Sequence, residues 1–209
     1  MFERASAILK EQNIKSDSFQ LQFVVYRNYN SKEDKILQSS PWETKPDNLR
    51  AFMNTIEVEG GWNNEAIEIG LWHANQENER ENITQVILIG DAPPNTKDEV
   101  KEKRNGFQET YWKGTKFSKP TYYQDELDKL KAHSIPVHAF FVEQRAETVF
   151  KQIAQQTGGR GEMLDINSSS GSQMLTDLVT EEILRNVGGT TKGNALVEAY
   201  RNRYQKGYT

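Results

Sequence analysis

Apolar positions recur along this chain with two periods, and the alternation between them lays out a series of strands and helices. Residues 2–13 carry Phe2, Ala5, Ile8 and Leu9 at helical spacing. In 19–29, Phe19, Leu21 and Phe23 alternate before the run Val24-Val25-Tyr26, which predicts a strand. The polar turn "NYNSKED" leads to a short partner strand at 35–40, and Pro41 and Pro46 then mark a loop. Asp47 or Asn48 is placed to cap a helix with Leu49, Phe52, Met53 and Ile56 on one side. After the break at Gly60-Gly61, Ala66, Ile67, Gly70, Leu71 and Ala74 form one face of the next helix.

The clearest strand is "ITQVILIGDAPPNT" at 83–96, where an unbroken apolar run from Val86 to Ile89 stops at Gly90-Asp91. A helix at 124–134 then leads into the strand "IPVHAFFVE" at 135–143. A helix at 147–159 follows, with Gly158-Gly159 as its left-handed stop. A short strand "GEMLDI" and the helix "QMLTDLVTEEILRNV" complete the series, and beyond Gly188-Gly189 the segment "GNALVEAYRNRYQKGYT" predicts a last helix. Strands separated by helices require crossover connections and hence a mainly parallel, two-sided sheet. In such sheets ligands bind beyond the carboxyl ends of the strands, where Asp91 falls.

Composition narrows the function. The 209 residues suit one large domain, and a formal net charge of -4 exerts no general pull on nucleic acid or anionic lipid. With no cysteine there is neither a disulfide framework nor a thiolate nucleophile. No apolar stretch approaches the roughly 20 residues of a membrane helix, and the amino terminus reads as an amphipathic helix rather than a secretory signal. A cytoplasmic protein is the simplest expectation. His73, His133 and His138 lack ligand spacing, and no phosphate loop, dinucleotide fingerprint or nucleophile elbow is present. The expectation is therefore of a protein that is not an enzyme.

Four landmarks, "FVVYRNY", "GGWNNEAIEIGL", "VILIGDAPP" and "SIPVHAFFV...FKQIAQQTGG", occur in the order and spacing of a von Willebrand factor A-type (vWA) domain. They cover roughly residues 1–187, and the chain is most similar to the vWA domains linked to alpha-kinases. The resemblance implies a three-layer, Rossmann-like α/β fold with a mainly parallel sheet flanked by helices. It implies domain limits of 1–187, an insertion at about 100–123, and a short linker with a C-terminal helix at 188–209.

The family's metal site joins an Asp-x-Ser-x-Ser loop after the first strand to a second-loop hydroxyl or carboxylate and a third-loop aspartate, which together hold one Mg²⁺. Asp91 matches the third loop. Asn63 falls at the second-loop ligand position in one register and Trp62 in the other. No Asp-x-Ser-x-Ser occurs, and the sequence begins at what resembles the first helix. The usual first central strand is thus missing, which would leave backbone groups unpaired at about 1–3 kcal/mol each. Three ways of resolving this stand open: a fragment of a longer chain, a strand donated by a partner or second copy through β-augmentation, or direct closure of the two halves.

Each candidate also has a plainer reading. Asp91 accepts hydrogen bonds in a turn, Asn63 and Asn64 cap the helix that follows, and Trp62 covers the sheet rim. The alternative for Trp62 and Asn64 is contact with a partner. The segment 100–126 mixes aromatics, Trp112 among them, with lysines and arginines, and reads as a lid or a protein-contact surface rather than a nucleic-acid groove. The combined expectation is a protein-binding module, with a degenerate Mg²⁺ site at Asp91 and Asn63 and partner contacts at Trp62, Asn64 and Trp112. Its alternatives are a structural subunit that has lost its metal, or the recognition domain of a longer kinase-type protein.

Overall fold

The structure is a computed structural model and describes residues 1–205, apart from the side chains of Ser169 and Ser170. It is a mixed α/β fold in two compact units: Val24–Ser39 with Glu57–Leu164, and Met1–Phe23 with Ser40–Ile56 and Asp165–Thr209.

The larger unit holds both sheets. β1 (Val24–Tyr26) and β2 (Leu37–Ser39) form an antiparallel pair joined through the short helix α2 (Glu33–Ile36). β3 (Val86–Gly90), β4 (Val137–Phe141) and β5 (Gly161–Met163) form a parallel sheet in the order β3-β4-β5. Val86 stands opposite Val137, and Ala139 opposite Gly161. The two-stranded sheet is therefore antiparallel, across a short connection, and the separate three-stranded sheet is parallel, where helices intervene. β1 is shorter than the 19–29 reading, because Leu21 makes only an isolated bridge, to Glu43.

Three helices cover the parallel sheet. Ile67, Leu71 and Ala74 come from the helix Ile67–Glu81, here α4; Leu127 and Leu130 from Tyr123–Ala132, α7; and Phe150, Ile153 and Ala154 from Glu147–Thr157, α8. All are buried against Leu88, Val137, Ala139 and Phe141. β4 is covered throughout, as expected of a central parallel strand. Asn75 pins α4 to α7 by donating to the Glu126 carboxylate at 2.8 Å and to its carbonyl at 2.9 Å. Gly158 ends α8 at φ 75, the left-handed stop its sequence predicts.

The segment expected as an insertion forms α5 (Lys97–Arg104) and α6 (Gln108–Lys113). It builds a second apolar cluster: Val100, Trp112 and Phe117 pack with Tyr29, Ile36, Leu37, Ala66 and Ile69. Thr96 and Glu99 form a reciprocal capping box that fixes where α5 begins.

The smaller unit contains α1 (Phe2–Glu11), α3 (Pro46–Met53) and the helical stretch α9 (Ser169–Tyr204). Gly189 interrupts α9 at φ 58 and ψ -158, a conformation essentially reserved for glycine. The two arms fold back on each other. Arg201 pairs with Glu181 at 2.6 Å, Arg185 donates to Asn194 at 2.8 Å, and the Tyr200 hydroxyl donates to Asp177. A Cβ at Gly188 would lie 2.5 Å from the Gly193 nitrogen, so the turn is too tight for a side chain there. Residues on both sides of Gly188-Gly189 belong to the same unit.

Candidate functional site

The candidate site lies where β3 and β4 end. Asp91 follows Gly90 directly, and the next residues double back on the segment before α4. Glu65 N–H donates to Pro93 O at 3.0 Å, and Asn95 N–H to Glu65 O at 3.2 Å, forming a parallel bridge between Glu65 and Pro94. This backbone pairing brings Asn63 and Asn64 beside Asp91, although they lie far apart in sequence.

A single side chain joins Asp91 to Asn63. Arg145 sits in the 3-10 turn Gln144–Ala146 after β4. Its Nε donates to Asp91 O at 3.1 Å, its Nη1 donates to Asn63 O at 3.0 Å, and its Nη2 lies 3.3 Å from the Asp91 carboxylate. The two residues expected to ligate a cation are therefore neighbours, and they face a guanidinium. Asn63 takes part through its main-chain carbonyl. Neither Asn63 nor Asn64 caps α4, whose N-cap residue is Ala66 with no side-chain cap bond.

Asn64 belongs to a deeper polar network. Its side-chain amide donates to both Glu99 carboxylate oxygens, at 2.9 and 3.1 Å. Its carbonyl accepts from Lys103 Nζ at 3.0 Å and from the Asn28 side chain. Lys103 also donates to Asn95 Oδ1 at 2.6 Å, and the Asn95 amide donates to Glu68 Oε1 at 2.9 Å and to Asn28 Oδ1 at 3.3 Å. Glu68 is fully buried. Burial pushes its carboxyl up to about 7, against the opposing pull of the Asn95 hydrogen bond and the Lys103 charge. Burial likewise raises Glu65, helped by the Asp91 charge, and lowers the Lys103 ammonium despite the carboxylates around it.

The two tryptophans part company. Trp62 is 42% exposed, with Lys103 Nζ 5.7 Å from its ring centre, so it lies on the rim. Trp112 is 0% exposed; its indole N–H donates to Arg104 O at 2.9 Å, and its ring meets Tyr29 edge-on. The expectation of Trp112 as a partner contact is corrected accordingly: it is a core side chain, because α6 turns the aromatic side of the segment inward.

Sequence reasoning missed Arg145, Lys103, Asn95, Asn28 and Glu68. Glu68 did carry a signal, a carboxylate between Ile67 and Ile69 in an otherwise apolar stretch. Arg145 carried none, since its partners are set by the parallel pairing of β3 with β4.

Among the described residues, no three of His, Cys, Asp and Glu converge as a metal-binding group. No helix of the described residues is long and apolar enough to cross a membrane. No family model matches the chain, and no curated protein matches it either.

Proposed function

We propose that this chain is a vWA-like protein-binding module whose partner supplies a β-strand between β1 and β3. The observation that carries the reading is a pair of open strand edges in one unit. Val86 N–H bonds to Pro136 O, and Gly90 O accepts from Val142 N–H. By strand alternation Val86, Leu88 and Gly90 face β4, whereas Ile87 and Ile89 turn their N–H and C=O groups the other way. On β1, Arg27 N–H bonds to Ile36 O across from β2, so Val24 and Tyr26 present their backbone groups outward. Among the described residues no backbone hydrogen bond joins β1 to β3; the Tyr26 hydroxyl reaches across to Ile89 O at 3.3 Å.

Ile89 is 40% exposed, an unusual place for isoleucine in a parallel strand. An extended segment seated here would pair with the outward backbone groups of both edges, taking Ile89 O from the Tyr26 hydroxyl, and cover that side chain, as in β-augmentation. The landmark order of the sequence and the parallel sheet with flanking helices support the vWA reading. The rim loops around Asp91, Asn63, Asn64 and Trp62 would then border the inserted strand and contribute side-chain contacts. In the observed arrangement Arg145 occupies the oxygens of Asp91 and Asn63, so those residues do not fit Mg²⁺ as they stand, and recognition is assigned no metal step.

The test is selection of strand peptides on the purified chain from a displayed library of random apolar nonapeptides, followed by amide hydrogen exchange. A selected peptide is expected to slow exchange at Ile87 and Ile89, with little change at Leu88. Methylating its alternate backbone nitrogens should abolish binding. Peptides that bind without protecting those two amides, or that tolerate methylation at every position, would refute strand insertion.

A further inference from the structure

We infer that Tyr26 gates this strand site: in the free chain its side chain spans from β1 to β3 and holds Ile89 O, and an inserting strand must displace its hydroxyl to pair with that edge. The inference rests on the strand-insertion reading and adds the device that controls it.

Tyr26 ends β1, and its hydroxyl donates to Ile89 O of β3 at 3.3 Å, both strands lying in the larger unit. That oxygen is one of the outward acceptors of β3, because Val86, Leu88 and Gly90 are the residues whose backbone faces β4. A side chain rooted in one edge and bonded to the other lies across the space an added backbone would occupy. The hydroxyl thus stands in for the N–H that a strand would bring. Its bond is longer than the ordinary O–H···O separation of about 2.7–2.8 Å, so it is a weak tie that an aligned backbone N–H outcompetes.

The ring is bedded between two glycines. A Cβ at Gly90 would lie 2.9 Å from the Tyr26 hydroxyl oxygen and 2.9 Å from Phe150 Cζ, so the hydroxyl fits beside β3 only because position 90 has no side chain. A Cβ at Gly70 would lie 3.1 Å from Tyr26 Cδ1, so α4 also yields space to the ring. Glycine weakens a helix interior, and α4 carries one where Tyr26 packs. The ring packs against both apolar clusters of the unit. Burial, helped by the charges of Glu65, Asp91 and Glu68, raises the hydroxyl well above its ordinary value, so it stays a donor through the neutral range.

The test compares the whole chain with Tyr26→Phe, which keeps the ring and removes the hydroxyl. Nonapeptides are selected on each protein, and the Ile89 carbonyl carbon is followed by NMR. Its signal is expected to differ between the two proteins when free and to come together once a selected peptide is bound. The same peptide should bind Tyr26→Phe about two- to fivefold more tightly, the lower part of what one neutral hydrogen bond is worth. A carbonyl oxygen can accept two donors, so a difference that persists in the complex, with the Ile87 and Ile89 amides protected, would keep strand insertion and overturn the gate. Equal carbonyl signals in the free proteins, or equal affinities, would overturn it too. Peptides that protect neither amide in either protein would refute strand insertion itself, and the gate falls with it.

Discussion

Arg145 lies 3.3 Å from the carboxylate of Asp91, and the same guanidinium takes the main-chain oxygens of Asp91 and Asn63. A carboxylate at the end of a parallel strand invites a cation from solution, and here the chain provides its own. The rim is tied by one planar cation to the loop after β3 and to the loop before α4.

Titration of the purified chain with Mn²⁺ is therefore expected to give no saturable heat. Saturable binding that disappears in Asp91→Ala would restore the metal reading. Arg145 and Asp91 are each about half exposed, 50% and 51%, so the pair contributes little to stability. Arg145→Ala is expected to cost about 0–1 kcal/mol by urea denaturation.

Trp112 and Trp62 should respond oppositely to truncation. Trp112→Ala empties a fully buried site and is expected to destabilise by about 3–5 kcal/mol. Trp62→Ala, on the rim, is expected to stay within about 0.5 kcal/mol in thermal or urea melts while weakening any peptide that docks against the rim loops. Equal losses for the two would contradict the placement of α6.

Glu68 makes stability fall as pH rises through the acid and neutral range. Its carboxyl is held at about 7 in the folded chain against an ordinary value of 4.5, so between those values the folded state retains a proton that the unfolded state releases. The slope is at most about 1.4 kcal/mol per pH unit over that window, and it vanishes above the folded value. Urea midpoints measured across the window should drop for the native chain and drop less for Glu68→Gln. Equal slopes would show that the carboxyl is not the group that titrates.

Gly189→Ala forces a side chain into a conformation that only glycine adopts readily, and is expected to cost about 1–3 kcal/mol. The loss should show as faster amide exchange along both arms of α9, because Arg201–Glu181 and Tyr200–Asp177 depend on the fold-back. An unchanged melt would mean that the arms do not need this turn.

The sequence by itself determined the elements. The apolar run at 86–89 became β3, the run Val24-Val25-Tyr26 became β1, and helical spacing located α4, α7 and α8. It also placed Asp91 at a strand end, because that depends on where an apolar run stops. Periodicity is a local property, and these features are local. Which groups face Asp91 is not, since Arg145 arrives through the pairing of β3 with β4. Whether an aromatic is rim or core is likewise decided by packing: Trp62 and Trp112 look alike in the sequence, and only the turn of α6 onto Tyr29 buries one of them. The protonation of Glu68 follows the same rule, because the free energy of a charge depends on what surrounds it in three dimensions.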